Sequence, residues 1–201
     1  PGDAPAVMDV EVTTSGGSLG PAFALIAWQQ EPPTYSLCYN GDFDADADGW
    51  SIAAVTNVVG AVTSVTRVTT AKKHGTAALS VAVPNNATAN KGSSFKIPRS
   101  RDLYATFFAG CWVYSAADAV SVRLAAGDTV DGVAAGTAVT TSTAWQFITC
   151  VFEGLATAAT EMYLAAQQTT IDAAATWLID GAFICATYPA MVTNTVNSSA
   201  T

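Results

Sequence analysis

A series of short apolar segments separated by turn residues is the feature that most restricts how this chain can fold. Among them are HGTAALSVAVP (74–84), AVSVRLAAG (119–127) and EMYLAAQQ (161–168). Apolar and polar residues alternate along such segments, as in half-buried strands, and the 3.6-residue period of an amphipathic helix is almost absent. Roughly nine or ten segments of this kind predict an all-β chain, folded as an antiparallel β-sandwich or jelly roll.

The long segment LYATFFAGCWVYS (103–115) is apolar at both parities, which is typical of a central strand. One parity must face the core. The other is either buried beneath a second layer or forms a platform on which a sugar ring can stack, since aromatic faces suit the C–H groups of pyranoses. The candidate platform residues are Tyr104, Trp112 and Tyr114. Gly110 is a candidate for a β-bulge.

The next segment alternates cleanly, so we expect Val120, Val122 and Leu124 to face inward and the residues between them to face outward. The low-complexity stretch that follows, residues 129–143, is predicted to be one long surface loop.

Three parts are expected along the chain. Residues 1–34 form an N-terminal β-hairpin arm and linker, residues 35–188 the sandwich, and residues 189–201 a polar tail. Trp28 lies on the arm and is expected to contact an assembly partner. The chain begins with Pro1, which favours a processed product or a part of a longer protein.

The charge balance excludes some classes of function. Charged residues make up only 12% of the chain and the net charge is −8. An acidic surface argues against nucleic acid as a partner, and no apolar run approaches the ~20 residues of a membrane-spanning helix. Most of the basic residues lie in two clusters, AKKHG (71–75) and KGSSFKIPRSR (91–101), which are either solvated loops or an anion site.

The stretch NGDFDADADGW (40–50) places aspartates at alternate positions, the spacing of the first half of a calcium loop. An EF-hand counted from Asp44 would need a bidentate Glu at its twelfth position, where Val55 stands, and it has no flanking helices. A generic calcium site and a solvated acidic turn remain as alternatives.

No enzyme is predicted. General acid–base catalysis by two carboxylates needs one raised pKa and one ionised partner, and adjacent exposed aspartates on a loop do not supply that contrast. The chain has no nucleophile elbow and no Gly-rich phosphate loop, and its only histidine is His74.

NGDFDADADGW resembles the opening motif of jelly-roll carbohydrate-binding modules, the group associated with xylanases and cellulases. HGTAALSV, LYATFFAGCWVYS, TAWQFITCVFEG and WLIDGAFI are similar to later strands of these modules, in the same order. The resemblance covers roughly residues 35–188. Such modules also occur in phage virion proteins, and PGDAPAVMDVEV resembles the strand entry of virion β-domains.

The resemblance implies that the first and last strands lie side by side, with a structural Ca²⁺ where they meet. Its ligands would include Asp44, where the family usually has Glu, and Asp180 of the closing strand. Trp50, Trp145 and Trp177 match core positions of the family.

The same adjacency of strands would bring Cys38 close to Cys185. Cys111 and Cys150 lie in the middle of two strands that pack the core, so they are the second candidate pair. Two disulfides would suit an extracellular or virion protein. The alternative is four buried thiols.

Two functions are predicted from different classes. The first is a non-enzymatic structural or assembly protein of a virion or extracellular surface assembly, such as a phage decoration or tail protein, whose partners are copies of itself or other virion proteins. The alternative is a carbohydrate-binding module of a secreted polysaccharide-degrading system, which binds glycans. Both place the chain outside the cell or in a virion.

Overall fold

The computed structural model describes residues 36–98, 106–153, 159 and 161–187. The predictions for the N-terminal arm, Trp28, Tyr104 and the tail fall outside these residues. The described residues form strands and no helix, so none of them belongs to a helix that could cross a membrane. The strands are β1 (Trp50–Ser51), β2 (Ser64–Val68), β3 (Ala78–Val83), β4 (Lys91–Pro98), β5 (Thr106–Tyr114), β6 (Ser121–Asp128), β7 (Gly132–Ala135), β8 (Val139–Thr140), β9 (Gln146–Glu153), β10 (Glu161–Gln168) and β11 (Ala175–Thr187).

These strands form two sheets in which every named pairing is antiparallel. The six-stranded sheet has the order β1-β4-β10-β6-β7, and β8 also pairs with β6. The five-stranded sheet has the order β2-β3-β11-β5-β9. One large core cluster contains side chains from both sheets. The prediction of an all-β antiparallel sandwich of jelly-roll type is therefore confirmed.

The core is built by the alternation of each strand. On β5 the core positions are Phe107, Ala109, Cys111 and Val113, and the parity does not shift at Gly110. On β6, Val120, Val122 and Leu124 are buried in the same cluster, as predicted. Trp177 of β11 is fully buried. Residues between these core positions face away from the core, which leaves one whole face of each sheet for other contacts.

The bulge that was expected at Gly110 lies instead in the neighbouring strand. The register of β11 shifts between Asp180 and Phe183, and Gly181 adopts a φ of 58° that favours glycine. Core positions on β11 therefore change from odd numbers, as at Ile179, to even numbers, as at Ile184. Phe183 is turned to the outer face as a result.

One predicted segment assignment was wrong. Residues 129–143 are not one loop, because β7 and β8 lie within them and pair with β6. Residues 52–60, which follow β1, turn back on themselves, with a backbone hydrogen bond of 2.8 Å from Val55 to Val59. Val58 and Val59 pack with Tyr163 in a second cluster.

The aspartate-rich stretch is a turn closed by its own side chains. Asn40 Nδ2 donates to Asp46 Oδ1 at 2.9 Å, and Trp50 Nε1 donates to the carbonyl of Asn40 at 3.0 Å. Phe43 is fully buried and Trp50 nearly so, and Trp50 thus lies in the core, as the resemblance implied. Asp48 is exposed, as expected of a solvated turn.

Candidate functional site

The outer face of the five-stranded sheet carries aromatic side chains from three adjacent strands or their ends. We call this set the aromatic surface: Phe108, Trp112, Tyr114, Trp145, Phe147 and Phe183. It includes two of the three platform residues predicted from sequence, Trp112 and Tyr114. All but Phe183 are half-buried, so part of each ring is accessible to solvent.

Cross-strand pairing sets the spacing of these rings. Trp112 is registered against Phe147 of β9, and their ring centroids lie 5.2 Å apart. Tyr114 stacks on Trp145 at 5.1 Å with an interplanar angle of 30°. Such pairs contribute about 0.5–1.5 kcal/mol each beyond the area they bury. The rings therefore support one another and hold a defined surface.

A glycine makes room for the centre of the aromatic surface. Gly110 lies between Phe108 and Trp112 on the same face of β5, and a Cβ at this position would come within 2.6 Å of Phe147 and 2.8 Å of Phe183. The two phenylalanine rings stack at 6.2 Å, 19° from parallel. Any larger residue at position 110 would push them off the sheet.

A basic loop borders the aromatic surface at Trp112. The exposed ammonium of Lys73 lies 4.3 Å from the centroid of the Trp112 ring, within cation–π distance. The His74 ring meets the same tryptophan edge-on, with centroids 6.1 Å apart. One of the two basic clusters in the sequence is thus placed beside the predicted platform.

Asp180, in the bulge of β11, holds this loop from below. Its Oδ2 accepts the backbone N–H groups of Lys73 at 2.6 Å and His74 at 2.8 Å, and its Oδ1 accepts that of Gly181 at 2.6 Å. Burial raises the pKa of Asp180 to about 6, against the lowering effect of these three amides. The side chain is completely buried.

Asp44 holds the other end of the loop. Its Oδ1 accepts the backbone N–H and the hydroxyl of Thr76, and the first of these bonds holds the pKa of Asp44 below its usual range. Arg67 donates to the carbonyls of Phe43 and Asp44, both at 2.7 Å. Asp44 and Asp180 are therefore brought to the same loop, and both anchor its backbone.

The calcium prediction for Asp44 and Asp180 stays a prediction. Among the described residues there is no group of three or more His, Cys, Asp or Glu side chains placed to hold a metal ion. Three N–H donors point at Asp180, and a cation bound there would have to displace some of them. Gly75 leaves space beside Asp44, since a Cβ on it would come within 2.2 Å of that carboxylate.

The four cysteines are unpaired in the structure, with Cys38, Cys111 and Cys150 buried and Cys185 half-buried, and both the disulfides and the four buried thiols stay predictions. Cys38, Cys111 and Cys150 belong to the core cluster. Cys185 does not, because the bulge in β11 turns it to the outer face. Pairing of Cys111 with Cys150, which lie near one another on adjacent strands, stays a prediction for an oxidising compartment.

Several members of the site were missed or misassigned from the sequence. Trp145 was expected in the core but belongs to the aromatic surface. Phe147 could have been found from the alternation of TAWQFITCVFEG, which places it at the parity of Trp145. Phe183 could not, because the bulge inverts its parity. Lys73 was noted only as part of a basic cluster.

Comparison with known proteins identifies the fold. No family model matches the chain, and no curated protein does. A crystal structure titled bacteriophage CBA120 tailspike protein 4, enzymatically active domain, is similar over 76% of this chain and 21% of its own, with a TM-score of 0.56 and 12% identity. The chain therefore spans about a fifth of that tailspike.

Two carbohydrate-binding modules match over nearly their whole length. TmCBM61, solved with beta-1,4-galactotriose, is covered to 99% with a TM-score of 0.52 and 11% identity. The CBM22-1 xylan-binding domain of Paenibacillus barcinonensis Xyn10C is covered to 90%, with a TM-score of 0.50 and 15% identity. The described residues thus have the jelly-roll fold of carbohydrate-binding modules, as the sequence resemblance implied.

Proposed function

We propose that this chain is a non-catalytic glycan-binding module and that it binds oligosaccharide on the aromatic surface. The observation that carries the proposal is the continuous set of half-buried rings on the face that points away from the core. The core does not need these rings, because the opposite parity of β5 already fills it. Exposed aromatic clusters of this kind mark binding surfaces.

The geometry suits a sugar chain. Trp112 and Tyr114 are two residues apart on one face of a strand, which separates their side chains by about 6.6–7 Å. Flat rings pack against the apolar faces of pyranoses, whose C–H groups carry partial positive charge that complements the ring faces. The fold likeness to two binding modules gives independent support.

A binding role also fits the carboxylates near the surface. Asp180 is registered against Trp112, and both Asp180 and Asp44 are engaged by backbone amides of the loop. A carboxylate that serves as a loop anchor is poorly placed to transfer protons to a substrate.

A virion or extracellular surface assembly is the second candidate setting, favoured by the tailspike likeness. In that setting the module would add glycan binding to a larger assembly, and the partners would be copies of this chain or other virion proteins. The two roles are compatible, because the aromatic surface uses only one face of the sandwich.

A glycan array followed by affinity electrophoresis tests the proposal. We expect Trp112→Ala and Tyr114→Ala each to weaken binding about fivefold, since one stacked ring contributes of the order of 1 kcal/mol. Tyr39→Ala is the matched control, because Tyr39 is 70% exposed and packs against Phe95 of the other sheet. Equal binding by the Trp112 and Tyr39 variants would contradict the assignment of the surface.

A further inference from the structure

We propose that the glycan recognised by the aromatic surface carries carboxylate groups, as in a polymer of hexuronic acid, and that Lys73 binds them. This inference rests on the proposed function and specifies its ligand class. A sugar stacked on the exposed part of the rings beside Trp112 would have the Lys73 ammonium at its edge.

The first support is the environment of the ammonium. Lys73 is exposed, and the contact described for its Nζ is the Trp112 ring. The ion pair described for the structure is that of Lys96 with Glu161, on the other sheet, and no ion pair among the described residues includes Lys73. An ammonium has three donors, and a cation–π contact uses none of them as a conventional hydrogen bond. They remain available to an anionic ligand.

The second support is that the loop is held in place before any ligand arrives. The backbone N–H groups of Lys73 and His74 both donate to Asp180, and Thr76 is bonded to Asp44. Gly75, with a φ of 52°, makes the turn between them. A charge on a fixed loop costs less entropy to engage than one on a mobile loop.

The third support is the arrangement of charge around the loop. The chain carries a net charge of −8, yet Lys72 and Lys73 are exposed at this edge, together with Asp44, whose carboxylate accepts hydrogen bonds from Thr76. The nearby carboxylates of Asp180 and Asp44 are directed at backbone amides of the loop. Glu153 also lies on β9, but it is registered against Thr106, about 20 Å along β5 from Trp112. An acidic ligand therefore meets positive charge beside the rings.

A hexuronate fits this arrangement better than a neutral sugar. Its carboxylate is attached directly to the pyranose ring. When that sugar stacks on the aromatic surface, the carboxylate therefore lies at the edge of the stacked sugar. The Lys73 ammonium lies over the Trp112 ring, 4.3 Å from its centroid, so it would meet the edge of a sugar that stacks on the neighbouring rings.

The test rests on polygalacturonate and its methyl ester, which share one backbone and differ in the charge of the C6 group, with a neutral galactan as a third polymer. Affinity electrophoresis and calorimetry are run with polygalacturonate, with its methyl ester and with neutral galactan. We expect polygalacturonate to bind about tenfold more tightly than its ester, and Lys73→Gln to remove that difference. Lys96→Gln is the matched control, since it removes an exposed lysine from the other sheet. Thermal melts establish that each variant folds.

The outcomes separate the two proposals. If Trp112→Ala abolishes binding of neutral galactan and the ester binds as well as the acid, the glycan-binding proposal stands and the carboxylate inference is overturned. If Lys73→Gln and Lys96→Gln weaken polygalacturonate equally, or dextran sulfate competes as well as polygalacturonate does, the preference is a general polyanion effect and the inference fails. If none of the three polymers nor any glycan on the array binds, both proposals fail.

Discussion

The carboxylate of Asp180, completely buried in the bulge of β11, accepts the backbone N–H of Lys73 at 2.6 Å, while the side chain of that lysine lies over Trp112. One aspartate therefore fixes the position of a positive charge on the outer face. The β-bulge of β11 thus determines, through Asp180, that Lys73 lies beside the aromatic surface.

Replacing Asp180 with Asn should loosen this loop. The amide group would direct a donor at N–H groups that need acceptors, and an unsatisfied buried donor costs about 1–3 kcal/mol. We expect Asp180→Asn to lower the free energy of unfolding by that amount in urea titrations. The control is Asp131→Asn, at an exposed position. Equal stability of the two variants would show that the amides do not depend on the carboxylate.

The raised pKa of Asp180 predicts a specific dependence of stability on pH. Its folded pKa of about 6 lies above the ordinary value of 3.8, so the protonated form is favoured in the folded state. Its stabilising effect is complete below about pH 4 and is lost as the pH rises through about 6. At one pKa unit per 1.36 kcal/mol, the wild type should lose up to about 3 kcal/mol relative to Asp180→Asn across this window.

The contribution of Asp44 to stability depends on pH in the opposite direction and over a lower pH range. Its folded pKa is lowered, so its contribution is present above the ordinary value of 3.8 and disappears as the pH falls below that. The measurement is the free energy of unfolding as a function of pH for the wild type and Asp180→Asn. If the two curves run parallel between pH 4 and 6, the pH dependence in that range does not come from Asp180.

The calcium prediction can be tested by thermal melts. Calcium held by Asp44 and Asp180 would stabilise the fold by about 2.7 kcal/mol at a hundredfold excess over Kd. The melting temperature should then rise with added calcium relative to EDTA, and Asp44→Asn should abolish the rise. Identical melts of the wild type in calcium and EDTA would leave the two aspartates as loop anchors only.

The cysteines should be unreactive in the folded chain. Burial raises the pKa of Cys38 and Cys150 to about 12 and that of Cys185 to about 11, so almost no thiolate is present at neutral pH. We expect slow labelling by iodoacetamide in native buffer and four labels in denaturant, counted by mass spectrometry. Fewer than four labels in denaturant without reductant would show that disulfides form.

Two tryptophans distinguish the core from the outer face. Trp177 is fully buried, so Trp177→Phe or Trp177→Ala should destabilise the fold strongly, by about 3–5 kcal/mol for alanine. Trp145 contacts Tyr114 on the outer face, and Trp145→Ala should cost less than about 1.5 kcal/mol. A large loss on removal of Trp145 in urea titrations would return it to the core, where the sequence resemblance had placed it.

The strands and their core residues were predictable because alternation follows from strand geometry. Val120, Val122 and Leu124 could be assigned inward from their parity alone. A β-bulge breaks this alternation, and no sequence pattern identifies its position uniquely. Gly110 and Gly181 are both glycines in strands, and the bulge lies at the second of them. The position of the bulge determines on which face of the sheet the side chains of Phe183 and Cys185 lie.

The contacts of Asp180 were not predictable for a different reason. Its partners are backbone amides of residues more than 100 positions away, and backbone groups have no signature in a sequence. The resemblance paired Asp180 with Asp44 as calcium ligands, which stays a prediction, and in the structure both side chains accept hydrogen bonds from one loop. The loop between them, with Lys73 on its surface, became visible only when the chain was folded.

Odd-numbered and even-numbered residues of β5 have different roles, because they lie on opposite faces of the sheet. Odd-numbered residues such as Cys111 and Val113 determine whether the sandwich folds, and even-numbered ones such as Trp112 and Tyr114 determine what its outer face can touch. Evolution can therefore rewrite the even positions for a new ligand while the odd positions keep the scaffold intact. The same separation makes the outer positions of β5 and β9 a natural choice for a library of variants with altered recognition.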